Sequence, residues 1–167
     1  MNFKHLLIQF LLVLAPLLTL PGAQAVEVND AAALRNVTQG NGVFLIDMAS
    51  PNKTAFYLGI IKESYAGMLR QGVKPDFIIV YIGPTVGFLT TAPESKLEME
   101  YDDALEAIAK LVQDLHKLGV RQEVCAIATK VLKVDDSTLL PGLTLVADGF
   151  ISLIGWQTQG YKLVPLF

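Results

Sequence analysis

Asp76-Phe77-Ile78-Ile79-Val80-Tyr81-Ile82 is an apolar run that follows Pro75 and stops at Gly83-Pro84. Apolar side chains at both odd and even positions mean a strand buried on both faces, as in a parallel sheet covered by helices. Upstream, residues 43–48 (Val-Phe-Leu-Ile-Asp-Met) repeat the pattern after a Gly40-Asn41-Gly42 turn. Downstream, residues 120–127 form a third strand that carries Cys125.

The segments between these strands have helical spacing. Over residues 54–71, Tyr57, Ile60, Ile61 and Met68 recur at that period, and Gly72 is placed as a C-terminal stop. Over residues 101–117, Leu105, Ile108, Val112 and Leu115 line one face with Asp102, Glu106, Lys110 and Gln113 opposite, and Gly119 ends the helix. The acidic stretch from Glu94 to Asp103 supplies charge at that helix's N-terminus. Residues 86–89 are ambiguous. Beyond Cys125 the pattern gives a short helix over 126–134, a fourth strand over 143–147, a helix over 150–159 stopped by Gly160, and a fifth strand over 161–164. Trp156 and Tyr161 are expected to pack the last helix against the sheet. Strands alternating with helices at this spacing imply parallel strands, right-handed crossovers and helices on both faces, a three-layer α/β/α sandwich.

The N-terminus is of another kind. Met1-Asn2-Phe3-Lys4-His5 precedes an apolar stretch from Leu6 to Leu20 and then Pro21-Gly22-Ala23-Gln24-Ala25. This is the layout of a cleavable signal peptide, with cleavage after Ala25 and one domain over residues 26–167. The apolar stretch, broken by Gln9 and Pro16, is shorter than the roughly 20 residues a membrane-spanning helix needs. A periplasmic or secreted product without stable membrane insertion is expected. Basic residues number 13 against 16 acidic, a net charge of −3 without a basic cluster, so nucleic acid is not an expected partner.

Reactive groups in such folds gather at the carboxyl ends of the strands, here residues 47–52, 83–87, 125–129 and 147–149. Cys125, the single cysteine, ends the third strand and begins a helix, where backbone N–H groups favour a thiolate. Such a thiolate can take up sulfane sulfur, attack a disulfide or be oxidised; the alternative is a buried structural cysteine. Gly83, Thr85, Ala126 and Asn52 are candidate ligand- or anion-binding residues in the neighbouring loops. Gly83-Pro84-Thr85-Val86-Gly87 matches neither the P-loop nor the dinucleotide fingerprint, and no cofactor is expected. Asp47 is either an acid near the site or a carboxylate bonded to loop amides. One cysteine and one histidine after residue 25, His116, are too few ligands for the usual transition-metal site, and no metal is expected.

Gly119-Val120-Arg121-Gln122-Glu123-Val124-Cys125-Ala126-Ile127-Ala128, the later Leu140-Pro141-Gly142 with Val146, and Trp156-Gln157-Thr158-Gln159-Gly160-Tyr161 resemble the DsrE/DsrF-like family, in the same order. The resemblance spans nearly all of the chain after residue 25. It implies a mostly parallel five-stranded sheet of the DsrEFH type and a tendency to form homo-oligomers. It also implies a sulfur-relay role in which Cys125 carries sulfur as a persulfide and hands it to a thiol-bearing or persulfide-bearing protein partner. Relay members act in the cytoplasm, often as hetero-oligomers, whereas this chain begins with an export signal. The competing reading is a non-catalytic small-ligand-binding or oligomeric assembly module with a structural cysteine. A flavodoxin-like electron carrier fits the architecture but lacks a flavin-phosphate loop.

Overall fold

A computed structural model describes residues 28–167, so the signal peptide expected over residues 1–25 lies outside the described residues. The chain runs β1 (Gln39–Ile46), α1 (Pro51–Arg70), β2 (Lys74–Tyr81), a 3-10 turn (Gly83–Phe88), α2 (Ser95–Lys117), β3 (Arg121–Cys125), α3 (Ala126–Leu132), a second 3-10 turn (Asp136–Thr138), β4 (Thr144–Val146), α4 (Gly149–Thr158) and β5 (Lys162–Leu166). The five strands form one sheet in the order β4-β3-β2-β1-β5, and every pairing is parallel.

That order dictates the layers. From β1 to β4 the chain steps in one direction, and right-handed crossovers put α1 and α2 together on one face. The return from β4 to β5 reverses direction and carries α4 over the opposite face, where it touches β1, β2, β3 and β5. The fold is therefore the α/β/α sandwich expected from the alternating pattern. Ile78, Ile79, Val80 and Tyr81 in β2 are fully or almost fully buried, as a central strand covered on both faces must be. Each such aliphatic side chain contributes about 1.5–3 kcal/mol of transfer free energy.

Local chemistry sets the helix ends. Ser50 caps α1 by accepting from Lys53 N–H, Pro51 occupies its first turn, and Gly72 at φ +75° reverses the chain so that Val73 N–H reaches Met68 O. Helix α2 starts at Ser95, earlier than the amphipathic pattern suggested, and breaks at Tyr101 (φ −135°, ψ 28°). Residues 95–100 thus form a separate first segment, which sets Leu97 against the core, and the main apolar stripe follows past the kink. The ambiguous stretch at 86–89 falls in the first 3-10 turn, and β3 ends at Cys125, two residues earlier than expected, because α3 starts at once.

Helices α1 and α2 are tied by Lys62, whose Nζ lies 2.7 Å from Asp114 Oδ2, and by Tyr65 Oη, which donates to Leu118 O at 2.9 Å. Lys110 also reaches Asp114, at 2.8 Å. Their hydrogen bonds hold the Asp114 carboxyl below its ordinary range, at about 2. A carboxyl depressed in the folded state stabilises it above the unfolded value and loses that contribution as pH falls through the folded one. The stability advantage of wild type over Asp114→Asn, read as the urea midpoint, is therefore expected at pH 6 and should vanish as pH falls from 3.8 towards about 2.

Candidate functional site

Side chains in a strand alternate between faces, and β3 sorts its residues accordingly. Gln122 points to the α1–α2 layer, where it accepts from Tyr81 Oη at 2.7 Å and donates to Val112 O of α2 at 2.8 Å. Glu123 and Cys125, two positions apart, point the other way, towards α4. Cys125 is 5 % exposed. Its sulfur accepts a hydrogen bond from the Gly149 N–H at 3.3 Å.

Gly149 is the first residue of α4, so its amide is one of those left free by the helix geometry. Asp148 takes up the next one, accepting from Phe150 N–H at 2.8 Å. The amide directed at the thiol thus comes from α4 and not from the helix that Cys125 precedes. The reason is the strand's alternation: the Cys125 side chain makes no capping bond to α3 and faces the other layer. A Cβ on residue 149 would stand 2.7 Å from Ile82 Cγ2 and 3.2 Å from Cys125 Cβ, so glycine permits this close approach.

Cys125 borders an open recess of about 400 Å³ lined by Asp47, Ile82, Gly83, Pro84, Ile127, Ala128, Val131, Leu132 and Phe150. Its wall is apolar, and Val131 and Phe150, 74 % and 61 % exposed, form its rim. Asp47 is the one carboxylate in the lining. A second cavity of about 660 Å³ shares Pro84 and Leu132 with this recess and extends past Phe88 and Leu97 to Lys133.

Of the candidate residues, the fold brings Cys125 and Gly83 into one recess. Thr85 is buried, and its hydroxyl both accepts from Met48 N–H at 2.6 Å and donates to Met48 O at 3.0 Å, pinning the loop after β1. Asn52 is exposed in the first turn of α1, and Ala126 opens α3; neither borders the recess. His116 is exposed at the end of α2, with its ring against Gly142. Trp156 does pack α4 towards the sheet, with its Nε1–H directed at both Glu123 oxygens at 3.2 and 3.1 Å and Tyr161 edge-on at 5.3 Å. Among the described residues no group of three or more His, Cys, Asp or Glu could hold a metal ion, and no helix is long and apolar enough to cross a membrane.

Gly149 falls at the edge of the strand-end stretch 147–149 flagged from the sequence, but its amide, Glu123 and the apolar rim were not singled out. The one signal for Glu123 was its place two residues before the cysteine, hence on the same face of the strand.

Gly83 sets the recess floor on the side of β2. Its φ of +55° is left-handed, and an added Cβ would collide with the Asp47 carboxylate. Gly83→Ala should destabilise the protein by at least about 1 kcal/mol in urea unfolding.

The DsrE/DsrF-like family model matches residues 41–166. Among solved structures, the protein of unknown function MTH1491 from Methanobacterium thermoautotrophicum is similar at a TM-score of 0.60 and 20 % identity, over 76 % of this chain and 99 % of that one. The ychN protein from E. coli is similar at a TM-score of 0.52 and 12 % identity, over 76 % of this chain and 99 % of that one. At these identities the likeness is one of fold. The comparison with curated proteins gives no match. The match of the family model over β1 to β5 is the finding that decides membership: the chain belongs to the DsrE/DsrF-like family.

Proposed function

We propose that this protein carries sulfane sulfur on Cys125 as a persulfide and passes it to a thiol of a partner protein. The observation that carries this reading is the Gly149 N–H bonded to the Cys125 sulfur at the edge of an open apolar recess. Family membership points to the same sulfur-relay role.

The chemistry is an exchange with no net oxidation. Cys125 thiolate attacks the outer sulfur of a donor persulfide; a new S–S bond forms at Cys125, the donor's S–S bond breaks, and the donor leaves as a thiolate. In the second half an acceptor thiolate attacks the outer sulfur of the Cys125 persulfide, and Cys125 leaves as thiolate. The Gly149 amide stabilises the sulfur anion in both halves. Ile82, Val131 and Phe150 give the recess beside the sulfur an apolar lining, where the outer sulfur of the persulfide would sit.

Export belongs to the same proposal: residues 1–25 direct the chain to the periplasm or the exterior, where the acceptor would be found. Protein recovered from that fraction should begin at Val26 when its intact mass is measured. The homo-oligomer that the family resemblance implies is supported by Ile151 and Ile154, both exposed on α4.

A second reading, a ligand-binding module with a structural cysteine, is favoured by the low exposure of Cys125 and by the 660 Å³ cavity that adjoins its recess at Pro84 and Leu132. The two separate on one experiment. Wild type incubated with a labelled persulfide donor should gain one sulfur atom and release it to an acceptor thiol, and Cys125→Ser should do neither. Equal uptake by Cys125→Ser would eliminate the carrier reading.

A further inference from the structure

We propose that Glu123 is a positioning residue for Cys125: its buried carboxylate clamps α4 onto β3 so that the Gly149 N–H stays on the Cys125 sulfur. This proposal rests on the carrier reading only for its biological consequence. The geometry stands by itself.

Glu123 is 6 % exposed. Its Oε2 accepts from the Ser152 hydroxyl, and both oxygens lie within reach of Trp156 Nε1–H. Ser152 and Trp156 stand three and seven positions after Gly149, hence on one face of α4. Glu123 and Cys125 are separated by about 7 Å along β3. Gly149 and Trp156 are about 10 Å apart along α4. The strand and the helix therefore touch at two matched places, sulfur to first amide and carboxylate to the following turns.

A carboxylate is a costly way to make that second contact. No ion pair reaches Glu123 among the described residues; Arg121 instead lies over the Trp156 ring at 4.6 Å. Burying a carboxylate on neutral donors costs more than burying an apolar side chain of the same size. What the carboxylate adds is direction, since two donors from successive turns fix both the height and the rotation of α4. Without it, α4 is held by Leu153 in the core, by Arg121 against Trp156 and by the single Gly149 N–H bond to the sulfur.

The charged groups around the thiol make the outcome readable. Asp47 faces it across the recess, Glu123 lies two residues back on its own strand, and Asp148 precedes the amide donor. Lys130 of α3 is exposed, β4 carries no ionisable residue, and Tyr81 of β2 faces the other layer. Glu123→Gln keeps an acceptor oxygen for Trp156 Nε1–H, turns the Ser152 contact into one that the amide N–H donates, and removes a negative charge. Glu123→Ala removes both.

The test reads two quantities in each variant: the rate and pH profile of Cys125 alkylation, and the hydrogen exchange of the Gly149 amide. Glu123→Ala is expected to slow alkylation at pH 7 about tenfold, the equivalent of one lost hydrogen bond, to move the profile to higher pH, and to speed Gly149 exchange. Glu123→Gln should restore both to wild-type values or better. Leu58→Ala, which loosens the opposite layer, sets the effect of lost stability alone. If Glu123→Ala matches wild type, or departs from it no further than Leu58→Ala does, the positioning role is overturned. Should Glu123→Ala not fold, Ser152→Ala and Trp156→Phe test the same clamp by the same two readouts. A wild-type protein that takes up no sulfur would refute the carrier reading, while Gly149 exchange would still decide the positioning.

Discussion

The alternation of side chains along one buried strand governs where this molecule places its thiol. A parallel strand covered on both faces must send successive residues into opposite layers, and β3 does so within five residues. Gln122 and Val124 serve the α1–α2 layer, which is thick and well packed. Glu123 and Cys125 serve the thinner layer made by α4. The thiol ends at the carboxyl edge of the sheet because the strand stops there, and it meets an amide because the reversal from β4 to β5 brings the start of α4 over it.

Both layers use polar atoms inside the sheet, and both satisfy them. Gln122 is bracketed by Tyr81 and by a carbonyl of α2; Glu123 is bracketed by Ser152 and Trp156. No buried side-chain nitrogen or oxygen among the described residues lacks a partner. In a low-dielectric interior such bonds are directional and costly to break, so they fix the helices where apolar packing alone would let them slide. A close approach of α4 to β3 also needs residue 149 to lack a side chain. A sulfur atom held this way is buried at the end of its own strand, on the border of the apolar recess.

Much of the scaffold was legible in the sequence. The runs at 43–48 and 76–82 are apolar at every register, which already says central strands in a covered parallel sheet, and the stripe from Leu105 to Leu115 marks the main helix. The strand carrying Cys125, polar at Arg121, Gln122 and Glu123, was placed by its position after the Gly119 helix stop, and the closing helix by its stop at Gly160. The less legible parts depend on tertiary neighbours. Residues 39–42 are too polar and glycine-rich to announce the start of β1, which forms because β2 supplies its ladder. The early start of α2 hides in the charged stretch Glu94-Ser95-Lys96-Leu97-Glu98-Met99-Glu100, which lacks an apolar stripe. For the site, position at a strand end pointed to Cys125 and Gly83, but the donor to the sulfur lies 24 residues further on and could not be chosen from spacing. Thr85 illustrates the converse: its place in a glycine-rich loop suggested a ligand contact, and its hydroxyl is engaged by Met48.

The central claim is that Cys125 is reached through the recess while the protein stays folded. The most direct measurement is the alkylation rate of Cys125 in wild-type protein across urea concentrations below the unfolding transition. A rate that is substantial without urea and flat until the transition is the predicted result. A rate that is negligible in water and rises in proportion to the unfolded population would show that the thiol reacts only when the core opens, and would contradict the account.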